Sequence, residues 1–364
     1  MTADSHDCEP GPDDGESADD DGVGGILRGD GGQVGTPFDT TADVRETRWD
    51  RYGRAIDGYI RMPLTIMRQD WRSIVGLSIV AVYLLMGTVL TWTVEPTRTG
   101  DGPQFVQPFE TWEYPLGTNE MGQDLFAQTV HSTGPVLTMM ASGALFTVVM
   151  GTFFGLVAGY KGGEVDTVLS SITDVFINIP GLPLVIVLSV LFEPTHPISV
   201  GILLAVAAWA GLARAIRSQV LAIRDESFVE AARMMDVPTP ELLIKEILPH
   251  LMPYIMVNLV NAARTIIFSA VALYYLGVLP FADANWGVML NQAYHAGAIY
   301  RPDATHWLVV PMVAIAGISI GLLLIAQSLD RVFNPRVRAR HADTGDAEDG
   351  DGTEPGSTEM MKQV

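Results

Sequence analysis

Hydrophobic and polar positions along this 364-residue chain fall into long blocks, not short alternations. Six runs stay apolar for roughly 20 residues or more, the length a helix needs to cross a hydrocarbon core of about 30 Å. They are Ile74–Val94, Val136–Tyr160, Val168–Phe192, Ile198–Ile216, Met252–Leu279 and Trp307–Leu329. The pattern predicts an all-α membrane protein with six transmembrane helices. Arg214 and Arg217 cut the fourth run short, and their long stems can carry the charges to the interface. Pro180 predicts a kink in the third run and a freed backbone carbonyl. That kink could shape a pathway or only steer packing. Gly151, Gly155 and Gly159 recur every four residues in the second run, which places them on one face and admits a neighbouring helix closely.

Charge orders these runs across the bilayer. With six spans and an inside N-terminus, the outside loops are 95–135, 193–197 and 280–306. Of the 22 Lys and Arg residues, only Arg98 and Arg301 fall in those loops, while Arg264 lies inside a span. That asymmetry is what the positive-inside rule requires, so both termini are expected in the cytoplasm of a multi-pass cell-membrane protein.

Composition adds two tails. Residues 1–50 hold 14 Asp and Glu and residues 341–364 hold 7, together half of the chain's 42. Both stretches are poor in apolar residues, so 1–43 and 341–364 are expected to be disordered acidic tails. Between them lie a basic juxtamembrane segment, 44–73, and the membrane domain, 74–340. The basic segment carries Arg45, Arg48, Arg51, Arg54, Arg61, Arg68 and Arg72, and reads as a surface amphipathic helix or a solvated one. Nineteen Arg against three Lys, with abundant carboxylate, fits a halophile-like cytoplasm as well as it fits two acidic tails alone. Cys8 is the single cysteine, which leaves no internal disulfide, and the acidic start reads as no leader peptide.

One polar stretch between apolar runs, Asp225–Pro253, predicts two short helices at an angle. Ser227 and Glu230 have the spacing of a capping box. Asp236 tolerates the left-handed turn that ends the first helix, and Pro238 forbids its continuation. Thr239 then caps a second helix, with Pro240 at its first position, which is expected to stop near Pro249.

Glu230-Ala231-Ala232 followed by Ile247-Leu248-Pro249 resembles the EAA loop of ABC-importer membrane subunits. Asp236 stands where that family usually has Gly. Pro115-Leu-Gly-Thr118 with Met121-Gly-Gln-Asp124-Leu-Phe126 is similar to a segment of the dipeptide/oligopeptide permease branch. There Asn119 and Gln123 replace an acidic and a basic residue. Asp166, Asp174 and Ile179-Pro180, then Trp286-Gly287, and finally Asn334-Pro-Arg336-Val-Arg338 extend the resemblance from about Trp71 to Arg340. It implies a permease-type helical fold with a cytoplasmic coupling-helix loop at 225–249. It also implies a homologous second permease, two cytoplasmic ATPases that bind ATP and Mg, and an extracytoplasmic solute-binding protein. Glu230, Ala231, Ala232, Arg233 and Met235 would dock on an ATPase, and Asp236 would set the turn.

Asn258, Asn261 and Arg264 follow at spacings of three in the fifth run, and are read as one stripe. A guanidinium near the bilayer centre must face water, a carboxylate or carbonyls. Arg264 is therefore either a pathway residue meeting a substrate carboxylate or a structural partner for a neighbouring helix. The two asparagines alone fit interhelical hydrogen bonding.

Several chemistries are missing. The three lysines are followed by Gly162, Glu246 and Gln363, so no Walker A loop exists and ATP hydrolysis falls to partners. The histidines form no zinc spacing, and the low basic content outside the membrane-proximal regions argues against nucleic acid. Catalytic, cofactor and metal sites are accordingly expected to be absent. Rival readings are an ion-gradient-driven secondary transporter, a permease for sugars or metal chelates, and a scaffold that only recruits a partner.

Overall fold

The computed structural model describes residues 70–280 and 284–333. The expectations for both acidic tails, Cys8, the basic segment before residue 70 and the Asn334–Arg338 ending lie outside the described residues.

Helix α1 (Trp71–Thr93) opens the described chain, with a π turn at Met86–Leu90. A loop and then α2 (Leu125–Lys161) follow. Next come α3 (Gly163–Asn178), α4 (Gly181–Phe192), α5 (Pro197–Ala205) and α6 (Trp209–Ile223). The remainder is α7 (Ser227–Met234), α8 (Thr239–Tyr275), α9 (Trp286–His295) and α10 (Thr305–Phe333). Among the described residues, four helices are long and apolar enough to cross a membrane: α1, α2, α8 and the one closing the chain. The total is up to six if α3 with α4, and α5 with α6, each count as one span.

Three boundaries differ from the sequence expectation. The second run begins at Leu125, eleven residues before Val136, and is one unbroken helix to Lys161. Asp124 caps it, its carboxylate accepting from Phe126 N at 2.9 Å and Ala127 N at 3.3 Å. Burial pushes that carboxyl's pKa up, and the two N–H donors oppose the rise. At 1.5 Å per residue α2 is about 55 Å long, so its two ends serve opposite faces of the molecule. The third run does not kink but breaks, α3 and α4 meeting at 87°. Ile179 and Pro180 are both extended, because the residue before a proline is driven out of the helical region. The fourth run bends by 56° between Ala205 and Trp209. Trp209 is seated there against Phe154 and Phe176, ring centroids 4.6 and 5.1 Å away.

Small residues set the helix spacing. A Cβ added to Gly155 would lie 2.6 Å from Ala213 O, and one on Gly159 would lie 2.7 Å from Val220 Cβ. The glycine face of α2 thus receives α6, as the four-residue repeat predicts. Gly143 and Gly201 bring α2 equally close to α5. On the other flank α1 packs on α10 through Gly76 and Gly321, with Ser328 Oγ donating to Ser73 Oγ at 2.8 Å. Arg214 and Arg217 do more than reach an interface: they pair with Asp174 and Asp166 of α3. Arg217 binds its carboxylate through both Nε and Nη2, at 2.5 and 2.6 Å.

At the Leu125 end of α2, residues 98–124 form a folded cap. Thr118 Oγ donates to Pro103 O and accepts from Val106 N, and Asn119 takes both Met121 N and Gln123 N on its Oδ1. The cap is fastened to the start of α10 and to the segment before it. His306 Nε2 reaches Thr118 O at 2.9 Å, Gln107 Nε2 donates to Asp303 O, and Arg301 lies over the Phe105 ring.

Candidate functional site

The stretch 225–249 lies at the Lys161 end of α2. Its first helix, α7, begins with Glu226, not Ser227, at the cap position: Glu226 O accepts from Val229 N and Glu230 N. No capping box forms, since Ser227 is already helical. The carboxylates of the first turn face the positive end of the helix dipole instead. At the other end Asp236 takes φ of 58°. Asp236 N donates to Arg233 O at 3.0 Å and Val237 N to Ala232 O at 3.2 Å. These two bonds make a Schellman motif, with Asp in the left-handed position where glycine is commoner. Thr239 is not a cap either, because Pro238 occupies that place and α8 starts at Thr239.

Pro249 does not stop the second helix. The chain widens into a π turn at Leu243–Ile247, where Leu248 N reaches back to Leu243 O, and then continues unbroken to Tyr275. A wider turn just before proline lets the helix absorb the missing donor. His250 Nδ1 lies 2.7 Å from Glu246 O, and its ring stacks on Phe228 of α7 at 4.5 Å.

The two helices therefore form a knob with a buried side and an open side. Val229 and Ala232 are buried, Ala232 at 4% exposure, packed with Leu242 and Ile247. Ala232 thus faces the chain's own core and not a partner, contrary to the sequence reading. Glu230, Ala231, Met235 and Asp236 are exposed. So is Met234, which the sequence reading passed over. Met234 is 85% and Met235 72% exposed, two flexible apolar side chains at the tip. Helical spacing would have found Met234, since positions 230, 231 and 234 lie on the face opposite Val229 and Ala232. Arg233 is exposed but turned back: its guanidinium stands 5.2 Å over the Tyr160 ring and donates to Tyr160 Oη and Arg224 O.

The other predicted group lies along α8. Asn258 Nδ2 donates to Tyr254 O within its own helix, at 2.8 Å. Asn258 and Arg264 are half-buried and Asn261 is exposed. Three residues advance about 300° around a helix, so each step of three slips back by about 60°. Asn258 and Arg264 accordingly point well apart, and the single stripe becomes a spiral. Thr265, exposed and donating to Asn261 O, continues the Asn258–Asn261 line better than Arg264 does. Among the described residues Arg264 takes no ion pair or side-chain hydrogen bond. Beyond it, Thr265 and Ser269 line a cavity of about 420 Å³ at the breaks between α3 and α4 and between α5 and α6.

Residues 151–339 match the family model described as binding-protein-dependent transport system inner membrane component. The chain is 31% identical over 228 residues to a dipeptide transport system permease protein of Bacillus subtilis, covering 61% of this chain and 69% of the relative. It is 28% identical to an oligopeptide transport system permease protein of the same organism, covering 61% and 72%. A dipeptide permease of Alkalihalophilus pseudofirmus is 24% identical, with 75% and 88% covered. A solved chain of the inward-facing MetNI methionine ABC transporter aligns with a TM-score of 0.41 at 20% identity, covering 56% of this chain and 96% of that one.

Proposed function

This chain belongs to the family of binding-protein-dependent transport system inner membrane components, and from that premise we propose that it is a permease subunit of an ATP-driven importer for dipeptides or oligopeptides. The names of its relatives supply the substrate class. The observation that carries the mechanism is the knob: exposed Met234 and Met235 on a helix whose inner face is locked into the membrane helices.

In this reading the knob seats in a groove of a cytoplasmic ATPase, with Glu230, Ala231, Met234 and Met235 against the partner and Asp236 holding the turn. Each of two ATPases grips one permease, this chain and a homologous second one. ATP and Mg belong to those ATPases. Their closure pushes α7, and the push reaches α2, α6 and α8 through the packed core of Leu156, Val220, Val229 and Ile247. Rigid, close-packed helices transmit such a displacement instead of absorbing it. The cap at the far end of α2 lies on the extracytoplasmic side, where a solute-binding protein delivers the peptide. Both termini are then cytoplasmic, in keeping with the positive-inside rule.

Arg264 is the residue this reading places nearest the substrate. A cation within the bilayer needs a countercharge, and the chain offers it none among the described residues. A peptide's C-terminal carboxylate would supply one during passage, with Asn261 the nearer of the two asparagines around the helix.

The test is reconstitution of the purified complex in proteoliposomes. Peptide uptake that needs ATP inside and binding protein outside is expected. Uptake driven by an ion gradient without nucleotide would establish the secondary-transporter reading instead, and displacement of peptide by sugars or metal chelates would change the substrate class.

A further inference from the structure

We infer that Arg233 is a positioning residue: it is the strut that ties the docking helix to the α2–α6 helix pair, and it is not part of the surface an ATPase touches. The inference rests on the importer reading above and assigns the residue a role within it.

Three contacts converge on one guanidinium. Its Cζ stands 5.2 Å from the centroid of the Tyr160 ring, one residue before the end of α2. Its Nε donates to Tyr160 Oη at 3.3 Å, and its Nη2 donates to Arg224 O at 3.1 Å, at the end of α6. A guanidinium within about 6 Å of a ring face is attracted by the ring quadrupole. Its planar fork holds a ring and a carbonyl together, which a lysine ammonium cannot do with fixed direction. The carbonyl of Arg224 is also the kind of helix-end acceptor that basic side chains satisfy.

Mechanically, the placement matters because α7 has two attachments. Its apolar side sits on α8 through Val229, Ala232 and the Phe228–His250 stack. Its polar side is held to α2 and α6 through Arg233. The first attachment couples the knob to α8 directly and to α2 and α6 only through the shared apolar core, whereas the second ties α2 and α6 to it directly. Remove the strut and a push on α7 still displaces α8, but the α2–α6 pair follows less. The complex then hydrolyses ATP with fewer solutes moved per cycle.

The experiment compares Arg233→Ala, Arg233→Lys, Tyr160→Leu and Tyr160→Phe in the complete, reconstituted importer. ATPase retention on purification, ATP hydrolysis and peptide uptake are measured together. Tyr160→Leu should lower uptake per ATP by about threefold, the scale of one exposed cation–π contact, and Arg233→Ala by at least as much, since it also frees the Arg224 carbonyl. The double variant should be no worse than Arg233→Ala alone, because that variant already removes every contact that Tyr160→Leu removes. Tyr160→Phe keeps the ring but loses the hydroxyl acceptor, so it should fall between wild type and Tyr160→Leu, and Arg233→Lys between wild type and Arg233→Ala. Unchanged uptake per ATP in Arg233→Ala would overturn the strut. Loss of the ATPases from Arg233→Ala but not from Tyr160→Leu would also overturn it and return Arg233 to the docking face. A wild-type complex with no ATP-driven uptake defeats the importer reading itself, and is told apart from these outcomes because it needs no variant.

Discussion

Asn119 Nδ2 donates to Gln123 Oε1 at 2.8 Å, and Asn119 is fully buried. These are the two positions where the resemblance calls for an acid and a base, so a neutral amide pair stands in place of charges. The same Gln123 oxygen accepts from Gln128 Nε2 at 2.9 Å, which fixes the direction of its amide. Asn119→Asp should therefore bring two acceptors together and destabilise the cap by about 1–3 kcal/mol. Adding Gln123→Arg should recover part of the loss. Thermal unfolding in detergent across the four-member cycle measures this, and simple additivity would refute the pairing.

The contact of α2 with α6 leaves no space at Gly155. Gly155→Leu should cost at least about 1–3 kcal/mol by overpacking, because the obstacle includes the Ala213 carbonyl and not a side-chain tip. Gly211, on α6 with nothing within 4 Å of an added Cβ, is the control. Gly211→Ala should match wild type in the same melting assay.

Met234 is the substitution that separates docking from folding. Met234→Glu keeps a good helix former at an exposed position, so melting should be unchanged while ATPase co-purification falls. Ala232→Glu would instead place a carboxylate in the core, and it should lower stability by several kcal/mol. Equal loss of stability from both would show that Met234 is not free.

Asp124 starts α2. Asp124→Ala removes two N–H acceptors and should cost about 0.5–2 kcal/mol, whereas Asp124→Asn should cost less. Chemical denaturation of the detergent-solubilised chain gives both values.

Arg264→Ala should abolish peptide uptake while the four-protein complex still assembles. If the complex falls apart instead, the guanidinium is holding a neighbouring permease helix, and the pathway assignment fails.

Much of this molecule was legible before any coordinates. Four of the six long apolar runs are single helices of membrane length, because a spanning backbone must satisfy its own hydrogen bonds, and the other two are bent helix pairs. The glycine repeat in α2 announced a close neighbour for the same kind of reason: only a missing Cβ allows backbones that near. The turn at Asp236 was readable because Pro238 forbids the alternative. What the chain's linear pattern could not decide was how each local preference fared against its surroundings. Pro249 predicts a stop, yet the helix passes it by widening one turn. Pro180 predicts a kink, yet two extended residues make nearly a right angle. The resemblance turns Arg233 and Ala232 toward a partner, yet the guanidinium folds back on Tyr160 and Ala232 is buried. Residue type determines which conformations are affordable; only the packing of distant helices determines which of them is occupied and which face of the knob is left for a partner.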